Sequence, residues 1–235
     1  VAGLKKGRTS ARETDPVQPV ADEHVEAVLP HVSPQVAAMI QLQRLTGMRP
    51  CEVVMLRVCD VDMRSDIWVY KPTDHKNAWR GHDRQIPIGP KGQELIKPFL
   101  MRNTEECLFS PREAETQRQT LRRAARKSPM TPSQEKRRPK AQPKRQKRDQ
   151  YDVDSYRRAI KYAITKVNKW CVQNDQPKIP SWFPLQLRHS RATELNEMFG
   201  IEAAAVSLGH AHADVTKVYA ERNLKLAIDV ARKTG

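Results

Sequence analysis

Residues 36–56 read VAAMIQLQRLTGMRPCEVVML. Apolar side chains at Val36, Met39, Ile40, Leu42 and Leu45 recur close to a 3.6-residue period, which predicts a helix with one buried face. Gly47 follows where a helix C-cap favours a residue that accepts the left-handed backbone. Pro50 then opens a new turn, because the first helical N–H needs no intrahelical partner. Val53, Val54 and Leu56 continue it as a short buried helix. Between the two helices lies Thr46-Gly47-Met48-Arg49-Pro50-Cys51-Glu52. This spacing sets the Arg49 guanidinium just past a helix end, with Glu52 three residues on and within reach of orienting it. Taken alone, such a pair is a common surface feature of small energetic worth.

On the N-terminal side, residues 1–18 are polar without a periodic apolar face and read as a linker entering a domain that spans 19–235. A short helix is expected over 21–30. On the C-terminal side, Asp60-Val61-Asp62 ends the helical run. Ile67–Tyr70 and Arg84–Ile88 are β-rich and predict two antiparallel strands joined through residues 71–83. Helices are expected at 90–100 and from an Asp154 cap to about Gln173, the latter with Ala159, Ile160, Ala163, Ile164 and Val167 inward. Further helices are expected at 184–199 closed by Gly200, at 201–208, near 212–220, and at 222–233. The fold class is therefore α+β, mostly α-helical, with a small antiparallel sheet.

The 235 residues hold 42 Lys+Arg against 27 Asp+Glu, a formal net charge of +15. That balance points to a polyanionic partner, nucleic acid first. No run approaches 18 apolar residues, so no membrane-spanning helix is expected. Cys51, Cys59, Cys107 and Cys171 form no CxxC pair, which argues against a zinc site or a disulfide framework and suits a reducing cytoplasm. The charge is uneven. Residues 112–148 carry 14 Lys+Arg and 3 Asp+Glu, leaving a net of only +4 for the rest of the chain. Residues 112–150 read as a basic insertion: Arg118–Lys127 is compatible with a helix, and 128–148, with four prolines, reads as disordered. Arg122, Arg123, Arg137, Arg138, Lys144, Arg145, Lys147 and Arg148 are its candidate phosphate contacts, sensitive to salt and blind to sequence.

Two more strings carry chemistry. In Leu187-Arg188-His189-Ser190-Arg191-Ala192-Thr193, Arg188 sits in the first turns of a helix, where a guanidinium can fork onto a phosphate. His189 beside it reads as a packed histidine. In Leu208-Gly209-His210, followed by Thr216 and Tyr219, a glycine breaks one helix ahead of a histidine, and a tyrosine comes nine residues after that. A lone tyrosine there is more often packing than catalysis.

Together the strings have a different meaning. TGxRxxE at 46–52, LRHxxAT at 187–193 and LGHxxxxxTxxYA at 208–220 resemble, in order and spacing, the tyrosine recombinase (phage integrase) family. The wording of 65–100 and 182–222 is most similar to planctomycete-type integrases. The resemblance implies a tyrosine recombinase catalytic fold, from which a preceding DNA-clamping domain is missing. It also implies that Tyr219 attacks a DNA phosphodiester to form a 3′-phosphotyrosyl ester. Arg49, Arg188 and His210 would hold the phosphate, and Glu52 would steady Arg49. A hairpin lysine would protonate the leaving 5′-oxygen; Lys76 is the first choice and Lys71 its competitor. No metal or other cofactor is implied. Double-stranded DNA is the implied partner, with a homotetramer on two duplexes, no membrane, and a cytoplasmic, nucleoid-associated location in a bacterium. One position departs: the family's usual histidine three residues before the second arginine is Leu185, which cannot bond a phosphate. That departure keeps open a catalytically weakened or silent DNA-binding protein on the same fold. A type IB topoisomerase-like activity shares the chemistry.

Overall fold

The structure is a computed structural model and describes residues 16–73, 84–138 and 148–209. The elements run α1 (Asp22–Glu26), a 3-10 turn (Leu29–His31), α2 (Pro34–Thr46), α3 (Pro50–Val54), a second 3-10 turn (Val58–Asp60), then β1 (Val61–Asp62), β2 (Trp68–Tyr70) and β3 (Ile86–Ile88). They continue with α4 (Pro90–Ile96), α5 (Pro111–Ala124), α6 (Pro132–Glu135), α7 (Val153–Gln173), α8 (Pro184–Phe199) and α9 (Ile201–Leu208).

α2 is the central helix. Ser33 caps its start by accepting from Val36 N at 3.4 Å, and Pro34 takes the first helical position. Gly47 closes it in the left-handed conformation (φ 66°), donating to Gln43 O at 2.8 Å. Val36, Met39, Ile40 and Leu42 enter one continuous core with Tyr156, Ile160, Ala163, Ile164 and Val167 of α7. Packed against α2 are α8 and α4; α9 packs on α8 and reaches β3. Gln43 is buried within this core and satisfied at both ends. Its Nε2 donates to Met48 O at 3.1 Å, and its Oε1 accepts from Tyr156 OH at 3.0 Å. A core glutamine thus braces the turn that carries Arg49, and links it to α7.

The sheet is antiparallel in the order β1-β2-β3. Val61 faces Tyr70, while Trp68, Val69 and Tyr70 face Ile88, Pro87 and Ile86. Ile86 and Ile88 are buried and Pro87 between them is exposed, the alternation of a half-buried strand. Pro87 lacks an N–H and is tolerated because β3 is an edge.

Four expectations are corrected. Residues 60–62 do not simply end a helix: Val61 and Asp62 form β1, because β2 supplies a ladder partner that local sequence does not reveal. The two expected strands are shorter, and Arg84 leaves the ladder and turns inward. The cap of α7 is Asp152 rather than Asp154. Its Oδ1 accepts from Ser155 N at 2.6 Å, and Ser155 Oγ accepts in return from Asp152 N at 3.0 Å. Finally, the helix allowed at 118–127 within the basic insertion is α5, which begins earlier, at Pro111, and ends at Ala124. Ser110 caps it, Ala114 is buried, Arg102 pairs with Glu113 at 2.7 Å, and Gln35 donates to Gln117 at 2.9 Å. Glu113 in its first turn and Arg122 and Arg123 in its last also suit the helix dipole. A further helical turn stands at 132–135. Residues 139–147, the rest of that segment's prolines and lysines, lie outside the described residues, as do the helices expected near 212–220 and at 222–233.

Candidate active site

The site grows from the α2–α3 turn. Arg49 is the residue before α3, and Glu52 folds back on it. Glu52 Oε2 accepts from Arg49 N at 2.6 Å and Oε1 accepts from Arg49 Nη1 at 2.8 Å. Glu52 has 0% of its surface exposed, whereas about a fifth (20%) of the Arg49 side chain reaches solvent. So the carboxylate is a fixed internal strut and the guanidinium looks outward. Tyr70, also buried, donates from its hydroxyl to Glu52 O at 2.9 Å, fastening α3 to β2.

Arg188 reaches the same turn from α8. It is 1% exposed; Nη1 donates to Gly47 O at 2.6 Å and Nη2 to Leu208 O at 2.8 Å. One guanidinium therefore joins the end of α2 to the end of α9. Gly47 is required there twice over. Its φ is positive, and a Cβ would stand 2.5 Å from Leu208 Cδ2. His189 is buried as expected, and Ser190 exchanges hydrogen bonds with the backbone of Val20 at 2.9 and 2.8 Å, which anchors the entering chain on α8.

Arg84 also belongs to this cluster, although its sequence context placed it only in a strand. Its Nε donates to Glu52 Oε1 at 3.3 Å, and it is 7% exposed. The sequence signal was a lone arginine leading into an Ile-Pro-Ile strand, which by itself says nothing of burial. Burial alone would raise the Glu52 pKa. The positive charge of Arg84, the N–H of Arg49, and the charges of Arg49 and Arg188 outweigh it, holding the carboxyl below its ordinary value. Burial pushes the Arg84 pKa down, Glu52 opposes this and Arg49 reinforces it; a guanidinium starts so high that it stays charged. Among the described residues, Arg49 and Arg84 bond this carboxylate and the charge of Arg188 also reaches it, leaving excess positive charge where an anion can sit.

Leu185 is partly buried in the first turn of α8, one turn before Arg188. Lys71 is exposed at the end of β2, its N–H donating to Asp60 O at 2.8 Å. Arg122, Arg123, Arg137, Arg138 and Arg148 are exposed, and Arg148 pairs with Asp152. Tyr219, His210, Lys76, Lys144, Arg145 and Lys147 lie outside the described residues. Among the described residues no three His, Cys, Asp or Glu side chains converge as metal ligands, and no helix is long and apolar enough to cross a membrane.

The described residues thus form a helical domain with a small antiparallel sheet and a buried arginine cluster. Residues 22–225 match the model of the phage integrase family, and the chain belongs to that family. Among solved structures it is similar to the XerA recombinase, at 17% identity and a TM-score of 0.56 over 93% of this chain and 66% of that one. It is similar also to the Tn1549 transposon integrase in complex with transposon right end DNA, at 14% identity and a TM-score of 0.59, over 94% and 67%. A lambda integrase dimer bound to a core site matches at 12% identity and a TM-score of 0.57, over 91% and 51%. This chain therefore spans about half to two thirds of the length of those structures. A comparison with curated proteins finds no match.

Proposed function

We propose that the chain is the catalytic domain, over residues 19–235, of a site-specific DNA recombinase that breaks and rejoins strands through a 3′-phosphotyrosyl ester. The observation that carries this reading is the pairing of Arg49 and Arg84 with the buried carboxylate of Glu52, beside the turn that Arg188 holds through Gly47 O. Such a cluster is preorganised for an anion whose charge grows during reaction. In the proposed step Tyr219 Oη bonds to phosphorus as its proton passes to water, and the P–O5′ bond breaks. Lys76, or Lys71 in its place, gives a proton to the departing oxygen. Arg49 and Arg188 neutralise the non-bridging oxygens. His210 bonds the same phosphate and Glu52 holds Arg49. A second 5′-hydroxyl reverses the step, and the ester conserves the bond energy. Double-stranded DNA is the substrate, a homotetramer on two duplexes the working assembly, and the bacterial cytoplasm, on the nucleoid, the place of action.

The test is a nicked suicide duplex incubated with the protein and resolved on a denaturing gel. A shifted covalent band that Tyr219→Phe removes is the expected outcome. DNA binding with no band in either protein would instead favour the silent DNA-binding reading, which Leu185 in the first turn of α8 supports. Relaxation of supercoiled plasmid without sequence preference would favour the topoisomerase-like one.

The basic segment has a separate role in this proposal: it adds affinity but no chemistry. Because α5 is docked on α2, the deletion that isolates this role is 128–147 rather than the whole of 112–150. Bridging Lys127 to Arg148 with a short Gly-Ser link is expected to leave the melting temperature unchanged and to weaken DNA binding. The salt dependence should flatten by about 0.9 in the log–log slope for each phosphate that the shortened protein no longer neutralises. Cleavage at saturating DNA should survive; its loss in a folded deletion protein would place part of the site in that segment.

A further inference from the structure

Arg84 lies outside all three sequence boxes, yet it touches both halves of the cluster. On one side its Nε shares Glu52 Oε1 with Arg49. On the other, its guanidinium lies against Gly209, the left-handed residue (φ 65°) that closes α9. A Cβ at Gly209 would overlap Arg84 Nη1 and come within 3.0 Å of Cζ. Gly209 is the residue before His210. Arg188 Nη2 already takes the carbonyl of Leu208 at this helix end. Two arginines from separate elements therefore meet the C-terminal end of α9, where unpaired carbonyls carry partial negative charge.

The arrangement is costly as it stands. Nη1 and Nη2 of Arg84 are buried and have no hydrogen-bond partner among the described residues. A buried cation is tolerated only when paired and bonded, and the carboxylate that meets Arg84 among the described residues, Glu52, is divided between two arginines. Among the described residues, two guanidiniums bond one carboxylate and a third holds the adjoining turn, an excess of positive charge that suits a pentavalent phosphate, which carries more negative charge than the phosphodiester it forms from. If Glu52 belonged to Arg49 alone, that pair would be neutral and less of its charge would reach a phosphate.

We infer that Arg84 is a positioning residue of the site: it divides the Glu52 carboxylate with Arg49, and it packs under the last turn of α9, from which the chain runs on to His210 and Tyr219. The assignment rests on the recombinase reading for its effect on rate, but not for its effect on α9.

The experiment compares the full chain with Arg84→Met, which keeps the length and removes the charge, and Arg84→Lys, which keeps the charge and removes the fork. Hydrogen exchange on the DNA-free protein is read at the amides of 205–209, with α2 and α7 as internal controls. The same proteins are assayed for DNA affinity and for single-turnover cleavage of the suicide duplex. Arg84→Met is expected to speed exchange in the last turn of α9 and to slow cleavage about 100-fold, the scale of a small misplacement of reacting groups, with DNA affinity within about threefold. Arg84→Lys should fall between Arg84→Met and the unaltered protein in rate while exchanging as fast as Arg84→Met. Unchanged exchange at 205–209 overturns the inference, as does a slowed exchange-competent variant whose DNA affinity drops in step with its rate. Should the unaltered protein form no Tyr219-dependent adduct, the recombinase reading fails and the exchange result alone judges Arg84. If Arg84→Met does not fold, Arg84→Gln takes its place in each arm.

Discussion

Arg188→Met is expected to lower folding stability by about 3 kcal/mol and to eliminate cleavage in the same protein. The side chain is buried and its two terminal nitrogens each hold a carbonyl, Gly47 O at 2.6 Å and Leu208 O at 2.8 Å. Hydrogen bonds from a charged donor contribute about 1.5–3 kcal/mol each, and a buried carbonyl left without a donor costs its desolvation. Removing a buried charge gives part of this back, so the lower end of the combined figure applies. Methionine fills the channel but donates nothing, and the ends of α2 and α9 lose their common tie. Arg188→Lys retains the charge on one nitrogen, which cannot fork between two carbonyls; it should recover part of the stability and little of the cleavage. Urea unfolding measures the first effect and the suicide duplex the second. A methionine variant within about 1 kcal/mol of the parent would mean that the two carbonyls find other donors.

Glu52→Gln should produce a stability loss that depends on pH. At neutral pH the Glu52 carboxylate accepts from Arg49 N, Arg49 Nη1 and Arg84 Nε with no exposure to solvent. Removing one partner of a buried ion pair costs about 3–5 kcal/mol, because the surviving charges stay buried. The folded pKa of Glu52 is depressed: burial pushes it up, but Arg84, the Arg49 N–H, Arg49 and Arg188 together push it further down. A depressed carboxyl contributes its stability in full above the unfolded-chain value of about 4.3. That contribution is lost as pH falls through the lower folded value. The gap between parent and Glu52→Gln should therefore be widest and flat above about pH 5 and should narrow on acidification below it. In the parent, protonation makes Glu52 as neutral as the amide that replaces it. Urea midpoints taken from pH 7 down to pH 3 follow the gap directly. A gap that stays constant across that range would mean that the carboxylate charge is not what Glu52 contributes.

Much of the scaffold could be read from local signals. Gly47 stood at the end of a 3.6-residue apolar period and before Arg-Pro, and it is the left-handed cap of α2. Pro184 and Gly200 bracket α8 as their positions suggested, and the face of α7 named from periodicity is the face that is buried. These are features in which the deciding interactions lie within one helical turn of the residue itself. The misreadings share the opposite property. Val61 and Asp62 became a strand because Val69 and Tyr70 paired with them. The helix of the basic segment starts at Pro111 rather than Arg118 because Gln35, Arg102 and a buried Ala114 gave its first turns a place to dock. The cap of α7 is Asp152 and not the expected Asp154 because Ser155, three residues on, exchanges hydrogen bonds with it.

The candidate site divides along the same line. Sequence by itself determined the family, the helix ends on which Arg49 and Arg188 ride, and the Arg49–Glu52 pair, since three residues separate its members. Only the tertiary structure decided that Arg188 spans 141 positions to hold Gly47 and 20 to hold Leu208, and that Arg84, 32 residues from Glu52, turns out of its strand to share that carboxylate. Helix periods, caps and turns act over a few residues and leave their mark in spacing. The partner of a buried charge is chosen by which elements pack around it, and here that choice follows from α8 and α9 closing over the end of α2.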